Sequence, residues 1–259
     1  MEEEFFTNIK FGTDGWRGII GFDFNLKNLS RVVEASCQEL HYQFYKEVNS
    51  KKILIGYDRR FMASEFAKEI VPLVKGCGFE PVLSSSYVTT PSCSFYAKKM
   101  NFLGALVITA SHNPYNWLGL KIKSFNGTSV DESFTGEVEK RLLLGNVYQK
   151  IEGSYEIADV RNYHLENIKS LFDIDFISNG LKKMNLRIFV DSMHGSAAKC
   201  IREIFDCSDL KIISEIREDP DPFFGGNPPE PLLNYLDDLT ETLIINSKNG
   251  VKTLGIIFD

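Results

Sequence analysis

The chain has 259 residues, 43% hydrophobic and 25% charged, with a formal net charge of −6, the make-up of one or two ordinary globular domains. The acidic balance argues against a nucleic-acid backbone as partner, because such binding draws on clustered Lys and Arg to displace counterions. No apolar run approaches the roughly 18 residues that cross a bilayer, so no membrane partner is expected.

Met1-Glu2-Glu3-Glu4-Phe5 is acidic where a signal peptide is basic, which points to the cytoplasm. Five cysteines, Cys37, Cys77, Cys93, Cys200 and Cys207, form no C-x-x-C pair and are odd in number, so reduced core thiols are expected rather than a zinc site or a disulfide framework. Gly12, Gly15 and Gly18 lack the G-x-G-x-x-G spacing and no strand is read before them, which disfavours a dinucleotide site. They are read as letting the backbone bend closely.

From Leu26 to Val48, apolar residues recur at three- and four-residue steps, the stripe of an amphipathic helix. Strands are predicted at 53–57, 81–83 and 103–108, alternating with helices at 62–75 and 91–100. That alternation implies right-handed crossovers and a mainly parallel sheet sandwiched by helices. In such sheets the active loops gather at the carboxyl ends of strands, where Asp58-Arg59-Arg60 and Thr109-Ala110-Ser111 both fall. After Leu144 the pattern loosens. A helix is predicted at 163–176, with a domain boundary placed near 165–180, and the alternation then restarts with strands at 186–190 and 210–213, a helix at 196–205 and a helical stripe from Leu232 to Leu243. The proline-rich stretch from Glu218 to Pro231 fits no calcium loop and reads as a solvated connection. A final strand, 253–258, precedes Asp259.

The most informative stretch is Gly104 to Lys123. An apolar strand discharges into Thr109-Ala110-Ser111-His112-Asn113-Pro114, a polar turn that a core has no use for. Ser111 reads either as a helix N-cap or as a hydroxyl nucleophile with charge-stabilising neighbours. The full run through Gly119 and Lys121 resembles the phosphoserine loop of the α-D-phosphohexomutases. Phe11-Gly12-Thr13-Asp14-Gly15-Trp16-Arg17-Gly18 resembles that family's opening signature, and the likeness continues through Val190 to Gly195 and Asn227 to Pro231.

The resemblance implies repeated α/β domains, here residues 1–165 as a first domain and 166–259 as a second that stops at the metal-binding loop. It implies an isomerase that interconverts hexose 1-phosphate and hexose 6-phosphate, of glucose or mannose, through a phosphoserine and a hexose 1,6-bisphosphate. By motif position Ser111 is the phosphoserine, Lys121 and Arg17 are the cations of acid/base work and phosphate contact, and His112 shapes the loop more than it acts as a base. Magnesium is implied, held by phosphorylated Ser111 and three aspartates of which Asp259 is the first. The family's further carboxyl-terminal domains are then missing, and this front half is expected to be inactive by itself.

Leu118 stands where the family commonly has Asn, which puts the loop's hydrogen bonding in question. Trp16 and Thr109 favour the glucose and mannose branches over phosphoglucosamine mutase, which stays an alternative, as does a non-catalytic fragment or pseudo-enzyme that binds phosphate or a partner. A serine hydrolase is disfavoured, because Ala110-Ser111-His112 lacks the G-x-S-x-G elbow. His194 is expected to be a satisfied loop histidine, and Trp16 and Trp117 packing residues.

Overall fold

The computed structural model describes residues 9–144, 149–205 and 212–258. They divide into two compact units. One comprises the described residues up to Ala110 together with Asn116–Arg161, and the other Ser111–Tyr115 together with the described residues from Asn162 onward.

The first unit is built on a seven-stranded sheet. Its strands are β1 (Phe11–Gly12), β2 (Gly15–Ile19), β3 (Lys52–Tyr57), β4 (Glu80–Ser84), β5 (Gly104–Ile108), β6 (Trp117–Ser124) and β7 (Glu156–Ala158), in the order β1-β2-β6-β5-β3-β4-β7. The β5-β3-β4-β7 half is parallel, as short strands joined by helical crossovers require. The β1-β2-β6-β5 half is antiparallel. On one face lie α1 (Leu26–Val48), α2 (Ala63–Gly76) and α4 (Glu132–Leu142), whose apolar stripes pack with Leu106, Ile108, Leu118, Leu120 and Ile122 of the sheet. On the other, α3 (Thr90–Lys99) and the start of α5 (Val160–Leu171) cover Leu54, Ala105 and Val107. Helix α1 keeps the expected bounds because both ends are specified. The Asn25 side chain accepts from Asn28 N–H at its start, and Asn49 closes it in the left-handed conformation at φ 48°.

The second unit carries α6 (Ile174–Met184), β8 (Leu186–Asp191), α7 (Cys200–Phe205), β9 (Ile213–Ile216), α8 (Asp237–Lys248) and β10 (Lys252–Ile257). Its three strands are all parallel, in the order β10-β8-β9.

Several elements differ from the sequence reading. Strand β6 went unread, although its alternation of Leu118, Leu120 and Ile122 with Gly119, Lys121 and Lys123 is the period-2 signal of a strand with one face in the core. The glycine-rich opening is a hairpin, β1–β2, with Gly12 paired to Gly15. Helix α4 went unread. The helix expected over 163–176 is two, since Asp173 starts α6 by accepting from Phe176 N–H at 2.8 Å. The helix expected from 196 begins only at Cys200, behind Lys199 at φ 68°. The strand expected at 210–213 is seen at 213–216, and Leu210 and Lys211 lie outside the described residues, as does Cys207. Cys37 and Cys93 are buried free thiols, while Cys77 and Cys200 are half-buried and free.

Candidate functional site

The inner face of β6 is apolar and its outer face is charged. Lys121 and Lys123 are two residues apart and so share the outer face, yet they are only 7% and 5% exposed. A buried ammonium needs a partner. It comes from the β1–β2 hairpin, whose two-residue turn is Thr13-Asp14. Asp14 Oδ2 lies 2.5 Å from Lys121 Nζ and Oδ1 3.3 Å from Lys123 Nζ. Ser129 donates its hydroxyl to Asp14 Oδ1 at 3.0 Å and accepts from Lys123 Nζ at 2.6 Å. Partial burial works against the Asp14 carboxylate, but the two lysines and Ser129 outweigh it and hold the carboxyl below the ordinary value.

Two glycines allow this approach. Gly15 has φ 109°, and a Cβ there would stand 2.4 Å from the Leu120 carbonyl oxygen. At Gly119 a Cβ would meet the Trp16 carbonyl at 2.5 Å, the Thr109 carbonyl at 2.8 Å and Arg17 Cγ at 3.0 Å. Arg17 pairs with Gly119 in register, so it leaves the sheet on the same face as Lys121 and Lys123. The bulk of Arg17 lies over the missing side chain. Trp16 points the other way, 3% exposed and stacked on Phe24 at 5.0 Å, so the packing role expected of it is what it has. Leu118 is fully buried in the main core; at this position β6 supplies core volume rather than a loop hydrogen bond.

At the carboxyl ends of β3 and β5, Thr109 N–H donates to Gly119 O at 3.0 Å and Asp58 N–H to Ile108 O at 3.1 Å. Arg60 is 4% exposed, with its Nε 3.6 Å from Asp58 Oδ2 and an N–H donated to the Trp117 carbonyl at 3.2 Å. Burial pushes the Asp58 carboxyl up, and Arg60, Thr109 and Lys121 only partly counter it. Burial likewise lowers the Arg60 pKa, with Asp58 opposing that and Arg17 adding to it, so Arg17 bears on the same cationic region.

Ser111 lies three residues beyond the last residue of β5, half-buried, with φ 55°. A non-glycine residue in that conformation is uncommon, and it turns the chain out of the strand direction at the serine. His112 is also half-buried in the same turn. Asp259, the expected metal ligand, lies outside the described residues. Among the described residues no three His, Cys, Asp or Glu side chains gather as a metal-holding group.

In the second unit the motif around Asp191 is an ion-pair centre. Asp191 is fully buried and accepts two bonds from Arg217, at 2.8 and 2.5 Å, and one from Met193 N–H at 3.0 Å. Glu215 accepts from the Ser192 hydroxyl and from Lys199 N–H, the latter at 2.6 Å, with Arg202 Nε at 3.6 Å. His194 Nδ1 lies 2.8 Å from the Asp219 carbonyl oxygen, a satisfied loop histidine as read. Sequence reasoning passed over Asp14, Lys123, Glu215 and Arg217. Asp14 stood inside the quoted opening signature, and Lys123 two residues beyond Lys121 on a readable strand face, so both were within reach.

Comparison with known proteins gives a consistent picture. Residues 8–146 match the family model for phosphoglucomutase/phosphomannomutase α/β/α domain I, and residues 162–259 match domain II of the same series. A phosphoglucomutase from Staphylococcus haemolyticus is 28% identical over 275 residues, an alignment covering 99% of this chain and 50% of that relative. A phosphoglucosamine mutase from Finegoldia magna is 26% identical, over 76% of this chain and 42% of its own length. A crystal structure described as a phosphomannomutase from Thermus thermophilus superposes with a TM-score of 0.83 at 29% identity, over 98% of this chain and 55% of that one. The chain thus spans about half the length of the curated relatives it matches. No helix among the described residues is long and apolar enough to cross a membrane.

Proposed function

The chain belongs to the phosphoglucomutase/phosphomannomutase family, and on that premise we propose that it supplies the phosphoserine and the cationic face of an enzyme interconverting hexose 1-phosphates and hexose 6-phosphates. In this reading Ser111 Oγ carries a phosphoryl group. Its P–O bond breaks as a bond forms to a hydroxyl oxygen of the bound hexose monophosphate, giving a hexose 1,6-bisphosphate, and the serine then takes back the other phosphoryl group. Little covalent work is asked of the protein beyond the nucleophile; the rest is positioning and neutralisation of charge. Lys121 and Arg17 neutralise the transferring group, and the Lys121 ammonium takes up the hexose hydroxyl proton as it gives one of its own to the Ser111 Oγ released when the P–O bond breaks. His112 shapes the serine turn.

The observation that carries the reading is the surplus of positive charge on β6. Lys121 and Lys123 share one carboxylate, on the strand that pairs with the one leading to Ser111. A buried surplus of that sign suits a phosphoryl group. Magnesium belongs to the proposal as the cation that would offset charge on the phosphorylated serine. Of its implied donors this sequence holds Ser111 and Asp259.

The test is phosphoryl labelling with peptide mapping. The complete enzyme is incubated with hexose 1,6-bisphosphate and magnesium and digested, and a parallel sample is assayed on glucose, mannose and glucosamine 1-phosphates. The label is expected on Ser111, with turnover of the glucose or mannose ester and none in Ser111→Ala. A label on another serine, with Ser111→Ala fully active, would sink the assignment. Glucosamine 1-phosphate as the preferred substrate would move the protein to the phosphoglucosamine branch. Residues 1–259 by themselves are expected to show no turnover, because the positioning on which transfer depends would rest on two domains alone.

A further inference from the structure

We propose that Asp14 is a positioning residue for Lys121, and that Lys123 with Ser129 holds Asp14 in place, so that the hairpin turn of β1–β2 sets where the Lys121 ammonium stands. The inference rests on the phosphoryl-transfer reading above and extends it by giving Asp14, Lys123 and Ser129 a positioning role.

The geometry is specific. A lysine on a strand swings its ammonium on four rotatable bonds; at Lys121 that freedom is removed by a 2.5 Å contact with Asp14 Oδ2. Asp14 is itself fixed by its other oxygen, which takes the Ser129 hydroxyl at 3.0 Å and faces Lys123 Nζ at 3.3 Å. Lys123 closes the ring by donating to Ser129 Oγ at 2.6 Å. The four side chains therefore form one network. Both carboxylate oxygens are used, and each reaches a different lysine.

Charge explains why two lysines are needed. A single carboxylate on Lys121 alone would neutralise it and leave nothing to attract an anion. With Lys123 present, Asp14 is shared, and the group of two ammoniums and one carboxylate keeps one positive charge in a largely desolvated place. When a phosphoryl group reaches Lys121, Asp14 retains a cationic partner in Lys123 and need not be left as a half-buried, unpaired anion. Gly15, which no residue with a Cβ could replace without striking the Leu120 carbonyl, lets the turn come close enough to β6.

The experiment compares Asp14→Asn, Asp14→Glu and wild type in the complete enzyme, with two readouts. The first is mass-spectrometric acetylation of individual lysines by a water-soluble active ester. The second is steady-state turnover of hexose 1-phosphate. In Asp14→Asn, acetylation of Lys121 is expected to rise severalfold while that of the exposed Lys98 and Lys99 stays as in wild type. In the same variant kcat is expected to fall about tenfold to a hundredfold, the scale of a misplaced catalytic group, with KM changed less than about threefold. Asp14→Glu is expected to regain part of kcat. Unchanged Lys121 acetylation, or a wild-type kcat in Asp14→Asn, overturns the inference, and so does a general rise in acetylation at all lysines, the mark of a merely structural role. A wild-type enzyme that takes no phosphoryl group on Ser111 and turns over no hexose phosphate instead overturns the parent reading. The two failures are thereby distinguishable.

Discussion

The buried charges around Asp191 in the second unit and around Lys121 in the first are met in opposite ways. In the second unit the buried Asp191 has an arginine of its own, Arg217, which holds it through two bonds, while Glu215 and Glu218 share Arg202. In the first unit two nearly buried lysines divide one aspartate. A balanced pair has all its attraction satisfied within the protein and ties strands to loops. An unbalanced group keeps attraction in reserve for something that arrives. The motif around Asp191 and the motif around Lys121 look equally polar in sequence, but only the second has the charge surplus that a phosphoryl group could use.

The sharpest way to break this contrast is Arg217→Met. Removing the guanidinium leaves the Asp191 carboxylate buried with one backbone N–H, and breaking a buried pair from one side costs about 3–5 kcal/mol. Urea unfolding followed by circular dichroism should register that loss in a transition belonging to the second unit. A loss below about 1 kcal/mol would show the pair to be exchangeable with water and the centre not structural.

The same contrast explains what the sequence could and could not say. Helix α1 was legible to the residue because Asn25 and Asn49 specify both of its ends, and β3 and β5 because apolar runs of five or six residues between helices have few other uses. The serine turn was legible because polar residues at a strand end have no packing role. Strand β6 was missed because two of its outward residues are lysines, and an alternation of leucine and lysine passes for an exposed loop until a partner for the charge is known. That partner, Asp14, is 107 positions from Lys121 in the numbering, and no local pattern links them. The pairing of Asp191 with Arg217 escaped for the same reason. Sequence reading found the nucleophile candidate and not the sharing of Asp14 by Lys121 and Lys123.

Lys123→Met probes the surplus directly and should have a smaller effect on folding than Arg217→Met. Asp14 keeps Lys121 and Ser129, one buried ammonium disappears, and methionine fills much of the lysine stem's volume, so stability should stay within about 1 kcal/mol of the parent. Turnover should fall even so, because Asp14 and Lys121 then neutralise each other. Thermal melting beside a kcat measurement separates the two. A variant that loses stability and keeps its rate per folded molecule would make Lys123 a structural lysine and the two units alike.

The smallest effect lies in the pH dependence of stability, where Asp14 and Asp58 should act with opposite sign. The Asp14 carboxyl is held below its ordinary value of 3.8 by Lys121, Lys123 and Ser129, against the pull of burial. Its stabilising contribution is therefore complete above that ordinary value and is lost as pH falls through the lower folded one. The Asp58 carboxyl is pushed above 3.8, chiefly by burial. Its charged form therefore weighs against folding above the folded value, and that cost disappears as pH falls toward 3.8. Because the Asp14 side chain is 34% exposed, solvent screening keeps its share below about 1 kcal/mol. Melting temperatures of wild type and Asp14→Asn, measured from pH 7 to pH 3, should differ by a constant amount down to about pH 5 and converge below it. The corresponding comparison with Asp58→Asn should instead move in favour of wild type as the acid range is entered. A difference between wild type and Asp14→Asn that does not shrink below about pH 5 would mean that the lysines do not set the charge state of Asp14, and the surplus on β6 would lose its anchor.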